Sequence, residues 1–264
     1  MGITVEAGWN VVLDLQTDRE IEVLIDTFKY DFPPDGVLRI IVIQEPFFKL
    51  IDPVMRLPDF YHYVFTYHQD ILDNNPKARF LVNPGCWVDP FNLHTKKFAI
   101  STLVGGKIDK GFPGYILRHD LWKNQNKIHT PREFYLSSNC RYVGADYTNN
   151  LVLGDTKEPM FDCMFHIAIE NVYVHNLFSE KVMDCFMSRT IPIHFGTPNL
   201  MEYFNPRGFF SCSTLSEIIE TANRLTPALY QERADAVEDN WHRAMALYPY
   251  TEVLKRKIME VLSE

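Results

Sequence analysis

Between Phe165 and Phe209 the chain reads strand, loop, helix, strand, with polar residues placed only where a ligand could meet them. His166 to Ile169 is a short apolar-alternating run that ends in Glu170-Asn171. Ser179 is a good N-cap for a helix over Glu180 to Met187. Thr190 to Phe195 is a β-branched run closed by Gly196 and Pro198. A β-loop-α-β unit of this kind sets a helix N-terminus at the carboxyl edge of a sheet, where backbone N–H groups receive phosphates without a metal.

Five ordered elements fall inside that unit: Ile169-Glu170-Asn171, Ser179-Glu180-Lys181, Ile191-Pro192-Ile193, Gly196-Thr197-Pro198 and Phe204-Asn205-Pro206. In this order, with eight residues between Asn171 and Glu180, they resemble the donor-binding segment of the family 10 α1,3-fucosyltransferases. The resemblance implies a nucleotide-sugar glycosyltransferase with GDP-fucose as first donor. It also implies a GT-B fold, in which two Rossmann-like α/β domains face a cleft. The first domain holds the acceptor and the second holds the nucleotide. Residue by residue, it makes Lys181 a phosphate cation, Glu180 a ligand of ribose or sugar hydroxyls, and Asn171 a donor-fixing residue.

Composition narrows the function classes. A chain of 264 residues holds one large domain or two small ones, and a 46% hydrophobic fraction suffices for a core. The net charge of −8 argues against a broad nucleic-acid face, so any phosphate site is a local cation cluster in an acidic protein. No apolar run reaches membrane-spanning length, and the N-terminus lacks a basic-then-apolar signal, so the expected location is cytoplasmic or otherwise soluble. Five cysteines (Cys86, Cys140, Cys163, Cys185 and Cys212) without a C-x-x-C pair read as reduced, mostly buried thiols rather than a zinc site.

The rest of the chain alternates α and β. Strands are expected at Val11 to Leu15, Leu38 to Ile43, Tyr61 to Tyr67, Arg79 to Val82 and Phe98 to Val104, with a short helix over Gln69 to Asn74. Thr17 with Glu20 reads as a capping box for a helix over Asp18 to Phe28. Thr214 with Glu217 and Thr226-Pro227 open C-terminal helices, the second expected over Ala228 to Leu247. Thr251 to Leu262 carries one apolar stripe, with Lys255-Arg256-Lys257 opposite as a solvated face. A hinge near residue 94 divides an acceptor-side α/β domain, 1–94, from a donor-binding α/β domain, 95–264. One compact α/β domain is the alternative.

A second resemblance lies upstream, in the strand, small-residue turn and helix from Lys97 to Gln125. Family members carry a phosphate-binding arginine on that helix, and Arg118 matches it; its planar fork suits a diphosphate. Read without the resemblance, Arg118 pairs with Asp120 or another surface acid. An alternative register uses Ser138-Asn139-Cys140, with Arg141 as the arginine. Gly105-Gly106-Lys107 is no Walker A loop, since Ser101 stands where glycine is needed. It reads as a tight turn that lets backbone amides approach the donor, with Lys107 as a phosphate ligand. Tyr173 is a further candidate for the donor loop, and His175 and His194 are candidate specificity residues.

The base is expected from the first half. Glu45 follows the apolar strand Leu38 to Ile43, where a carboxylate meets a ligand crevice, and it matches the family's proposed base. Glu133, Asp120 and Asp70 are the fallbacks. A positioned carboxylate would take the acceptor hydroxyl's proton as the bond to the anomeric carbon forms, inverting that centre. Cations and helix amides would receive the charge developing on the diphosphate. No D-x-D triad is present, so no metal is required, while stimulation by Mg²⁺ or Mn²⁺ stays open. The acceptor implied is an oligosaccharide or glycoprotein glycan. Leu177 stands where bacterial relatives often have tyrosine, which keeps UDP-xylose or a rhamnosyl nucleotide open as donor. A catalytically inactive sugar- or nucleotide-binding relative is the second alternative. The missing G-x-G-x-x-G disfavours a dinucleotide oxidoreductase.

Overall fold

A computed structural model describes residues 3–7, 12–46, 48–82, 84–137, 140 and 151–264. Arg141, Ser138 and Asn139 fall outside them, and so does the alternative arginine register. The chain forms two compact units: Met1–Asn83 with His175–Leu177 and Tyr248–Glu264, and Pro84–Val174 with Phe178–Leu247.

The first unit holds five parallel strands in chain order: β1 (Ile3–Glu6), β2 (Glu20–Ile25), β3 (Val37–Ile43), β4 (Tyr63–Thr66) and β5 (Ala78–Phe80). Between β3 and β5 lie two short helices, α1 (Ile51–Arg56) and α2 (Gln69–Asn74). β3 is buried on both faces, as a continuous apolar run predicts. Ile40 and Val42 join one cluster, while Ile41 and Ile43 join another with Val54 of α1 and Ile71 of α2.

β2 corrects the sequence reading. Asp18 to Phe28 is not a helix: Ile21, Val23 and Ile25 alternate onto one face and Leu24 packs on the other. Thr17 closes a local turn instead, its hydroxyl accepting from Arg19 N–H at 3.2 Å. Glu22 lies opposite Arg39 on β3, Oε2 to Nε 2.5 Å, an ion pair that a helix there would forfeit. Residues 12–15 carry no regular structure, although Leu13 is buried.

The second unit contains β6 (Lys97–Val104), α3 (Pro113–Lys123), β7 (Arg132–Leu136), β8 (Leu151–Val152), β9 (Cys163–Ile169), α4 (Glu180–Met187), β10 (Ile191–Phe195), β11 (Phe210–Ser211), α5 (Leu215–Ala222), α6 (Pro227–Glu232) and α7 (Ala234–Met245). All strand pairs are parallel, in the order β8-β7-β6-β9-β10-β11. The winding reverses between β6 and β9, the doubly wound order in which ligands bind outside the strands' carboxyl ends at the switch point. Ile100, Phe165, Ile167 and Ile193 pack with Trp122 of α3 and Ile218 of α5. The long helix expected over Ala228 to Leu247 is two helices, parted at Arg233.

The last helix, α8 (Tyr250–Leu262), belongs to the first unit. Its Leu254, Ile258 and Val261 cover the face that holds Ile40 and Val42. Lys255 and Lys257 of its basic run are paired with Glu252 and Glu260. No described helix is long and apolar enough to cross a membrane.

Candidate active site

A cavity of about 600 Å³ opens within the second unit at the carboxyl ends of β6 and β9. That volume suits a small ligand or cofactor. Arg118, Asn171, Glu180, Lys181 and the turn Gly105-Gly106-Lys107 all line it. Tyr173 does not: it is 47% exposed, its ring 5.3 Å from Phe195.

Two glycines set the ends of this site. Gly114 N–H donates to Asn171 O at 2.9 Å, and a Cβ on Gly114 would fall 1.7 Å from Glu170 O, so only glycine lets α3 close on the end of β9. Gly196, at φ +145°, follows β10, and a Cβ there would lie 2.3 Å from Glu170 Cβ.

One turn into α3, Arg118 reaches back to β9. Its Nε donates to Ile169 O at 3.0 Å, and Nη2 donates to the same carbonyl and, at 2.8 Å, to Asn171 Oδ1. The guanidinium lies 5.1 Å from the Tyr115 ring centroid. Surface pairing with Asp120 is therefore not what holds this side chain. Its anchors are neutral oxygens, and among the described residues no carboxylate pairs with it directly. Burial lowers its pKa, partly countered by Glu170; the arginine still keeps its charge.

The lysines differ. Glu170, 2% exposed, accepts from Ser179 N–H at 2.9 Å and from its hydroxyl. The N-cap residue of α4, where a phosphate was expected, is thus already held by the chain's own carboxylate. Lys181 Nζ lies 3.5 Å from Glu170 Oε2 and 3.1 Å from Glu180 Oε1. Glu180 in turn lies 3.7 Å from Lys157, which pairs with Asp184 at 3.1 Å. Glu170, Lys181, Glu180, Lys157 and Asp184 form a chain of alternating charge, and all but Glu170 line the cavity. Burial works to raise the Glu180 pKa, but Lys181 and Lys157 hold it well below the usual carboxylate range. Burial pushes Asp184 up to about 6, against Lys157 and the Trp87 N–H at 2.7 Å.

Lys157, Trp87, Asp184 and His166 also line the cavity and carry no motif in the sequence. Lys157 sits 4.3 Å from the ring centroid of Trp87, which is 69% exposed.

Glu45 lies in the first unit, exposed beyond β3, and its N–H donates to Asp26 Oδ1 at 3.1 Å. Gln44 N–H donates to the same oxygen at 2.8 Å, and burial raises the Asp26 pKa. Of the fallbacks, Glu133 pairs with Lys97 at 2.7 Å. Glu133, Asp120 and Asp70 are all absent from the cavity lining. No group of three or more His, Cys, Asp or Glu able to hold a metal occurs among the described residues.

No family model matches the chain. A segment of 45 residues is 38% identical to the α-(1,3)-fucosyltransferase FucT of Helicobacter pylori, spanning 17% of this chain and 9% of that enzyme. Among solved structures, HepE of Anabaena in complex with UDP-glucose aligns with a TM-score of 0.61 at 12% identity, over 86% of this chain and 72% of HepE. An α1,3-fucosyltransferase with GDP aligns at 0.52 and 14%, over 87% and 77%. TarM aligns at 0.59 and 11%, over 90% of this chain and 54% of TarM. These likenesses give the fold: parallel sheets with helices, an α/β architecture matching GT-B glycosyltransferase structures.

Proposed function

We propose that the second unit grips the diphosphate of a nucleotide sugar and that the protein transfers the sugar to a glycan hydroxyl. The observation that carries this reading is Arg118, a half-buried cation on the cavity wall held by Ile169 O and Asn171 Oδ1 rather than by a carboxylate. A partly desolvated charge without a direct counter-ion is costly, and an arriving phosphate would supply one. Lys107, exposed on the cavity wall, adds a second cation. The switch-point position of the cavity and the short match to FucT support the same class.

In this reading Glu45 takes the acceptor proton, direct displacement inverts the anomeric carbon, and Arg118 with Lys181 receives the charge on the leaving diphosphate. GDP-fucose is the first donor to try. A UDP-linked sugar is the second, favoured by the likeness to a UDP-glucose complex. The test is calorimetric titration with GDP-fucose, GDP, UDP-xylose and UDP, followed by nucleoside diphosphate release from the native chain and Glu45→Gln. Binding of one donor, with release lost in the variant, is expected. No binding of any of the four would overturn the reading; binding without release would leave a nucleotide-sugar-binding protein.

A further inference from the structure

We propose that His166, keyed by Ser101, is a specificity-determining hydrogen-bond acceptor that takes a neutral O–H or N–H of the bound nucleotide sugar. The inference rests on reading the cavity as a nucleotide-sugar site, but its geometry is independent of that reading.

His166 and Ser101 are register partners on β9 and β6, the two strands that flank the switch point. Ser101 Oγ lies 2.7 Å from His166 Nδ1 and 2.8 Å from Met160 O. A carbonyl can only accept, and a serine hydroxyl has one proton to give. That proton goes to Met160 O; Phe165 O, at 3.5 Å, and the neighbouring Cys163 thiol are weaker competitors. The short contact to Nδ1 then needs a proton from the imidazole, so Nδ1–H donates to Ser101 Oγ. Burial, with Lys157 acting in the same direction, pushes the His166 pKa down to about 3, so the ring carries no second proton near neutrality. Nε2 is left as a bare lone pair.

His166, 5% exposed, lines the cavity, and among the described residues no protein group is bonded to Nε2. A lone pair repels phosphate oxygens, so the diphosphate belongs at the cations. The group that suits Nε2 is a neutral donor: a sugar or ribose hydroxyl, or a nucleobase N–H. A ligand lacking it would leave a buried acceptor unpaired, which lowers affinity by roughly ten- to a hundredfold.

The first test needs no ligand. In protein labelled with ¹⁵N-histidine, His166 should show a protonated Nδ1 and an unprotonated Nε2, unchanged from pH 8 to pH 5. Proton on Nε2 overturns the assignment. Ser101→Ala removes the partner of Nδ1–H and should move the proton towards Nε2, weakening ligand binding without touching the ligand. Calorimetry with GDP, 2′-deoxy-GDP, GDP-fucose, UDP and UDP-xylose then reads the contact. His166→Phe should lose roughly ten- to a hundredfold in affinity, and His166→Gln, which keeps an acceptor oxygen, should retain most of it. An effect confined to the sugar-bearing ligands identifies a sugar hydroxyl. One lost with 2′-deoxy-GDP identifies the ribose, and one differing between GDP and UDP identifies the base. Undiminished affinity in both His166→Phe and Ser101→Ala refutes the proposal alone. Failure of native protein to bind any of the five takes the nucleotide-sugar reading down with it.

Discussion

Both sheets are parallel, yet they are wound differently. In the first, strand order follows chain order from β1 to β5, so the loops leaving neighbouring strands do not part to opposite faces. In the second, β6 and β9 are neighbours from opposite directions of winding, and the 600 Å³ cavity opens where their loops separate. The chemistry divides with the topology. The carboxyl edge of the first sheet carries Asp26, Glu45 and Tyr67, whereas that of the second gathers Arg118, Lys157 and Lys181 with Glu180 and Asp184 between them. A parallel sheet alone supplies a scaffold; a reversal in its winding decides where a small molecule can enter.

Four measurements would break or sharpen this contrast. The largest effect is expected from Glu45→Gln: turnover should fall about a hundred- to ten-thousandfold while affinity for GDP or UDP holds. Equal losses in both would dissolve the division of labour. Arg118→Ala should weaken nucleotide affinity roughly thirtyfold or more, and Lys181→Ala less, because Glu170 and Glu180 already neutralise Lys181. A larger loss from Lys181→Ala in calorimetry would reverse that ranking. Leu254→Ala should cost the first unit about 2–5 kcal/mol in denaturant unfolding and leave nucleotide affinity intact. Affinity falling in step would show one cooperative body.

The smallest expected effect is a pH slope from Asp184. Its folded pKa, about 6, lies above the model-peptide value of 3.8, so the proton favours the folded state. The stabilisation is present in full below about pH 4 and is lost as pH rises through about 6, amounting to something on the order of 2–3 kcal/mol. Asp184→Asn should flatten the slope in thermal unfolding; an unchanged slope would assign the effect to another group.

The sequence was most legible where local chemistry and burial agree. Leu38 to Ile43 is buried on both faces and read as a strand, and Ser179 caps α4, its hydroxyl accepting from Lys181 N–H. β2 was obscured because Thr17 and Glu20 mimic a capping box, while the alternation of Ile21, Val23 and Ile25 carried the stronger, tertiary signal. Of the motif residues after β9 and at the start of α4, Asn171, Glu180 and Lys181 line the cavity and Glu170 does not. Lys157 and Trp87 were not legible, because their places depend on pairing with Asp184 across long stretches of chain. Glu170's hold on the start of α4 was equally hidden, since no spacing rule says which carboxylate will cap a helix from a neighbouring strand.

The placement of α8 has a consequence for biosynthesis. Ile21, Val23, Ile40 and Val42 precede the second unit in the chain, but their covering residues Leu254, Ile258 and Val261 follow it and are translated only after it. No nascent chain shorter than about residue 262 contains that whole core. The later-encoded unit, ending at Leu247, is therefore complete before the earlier-encoded one.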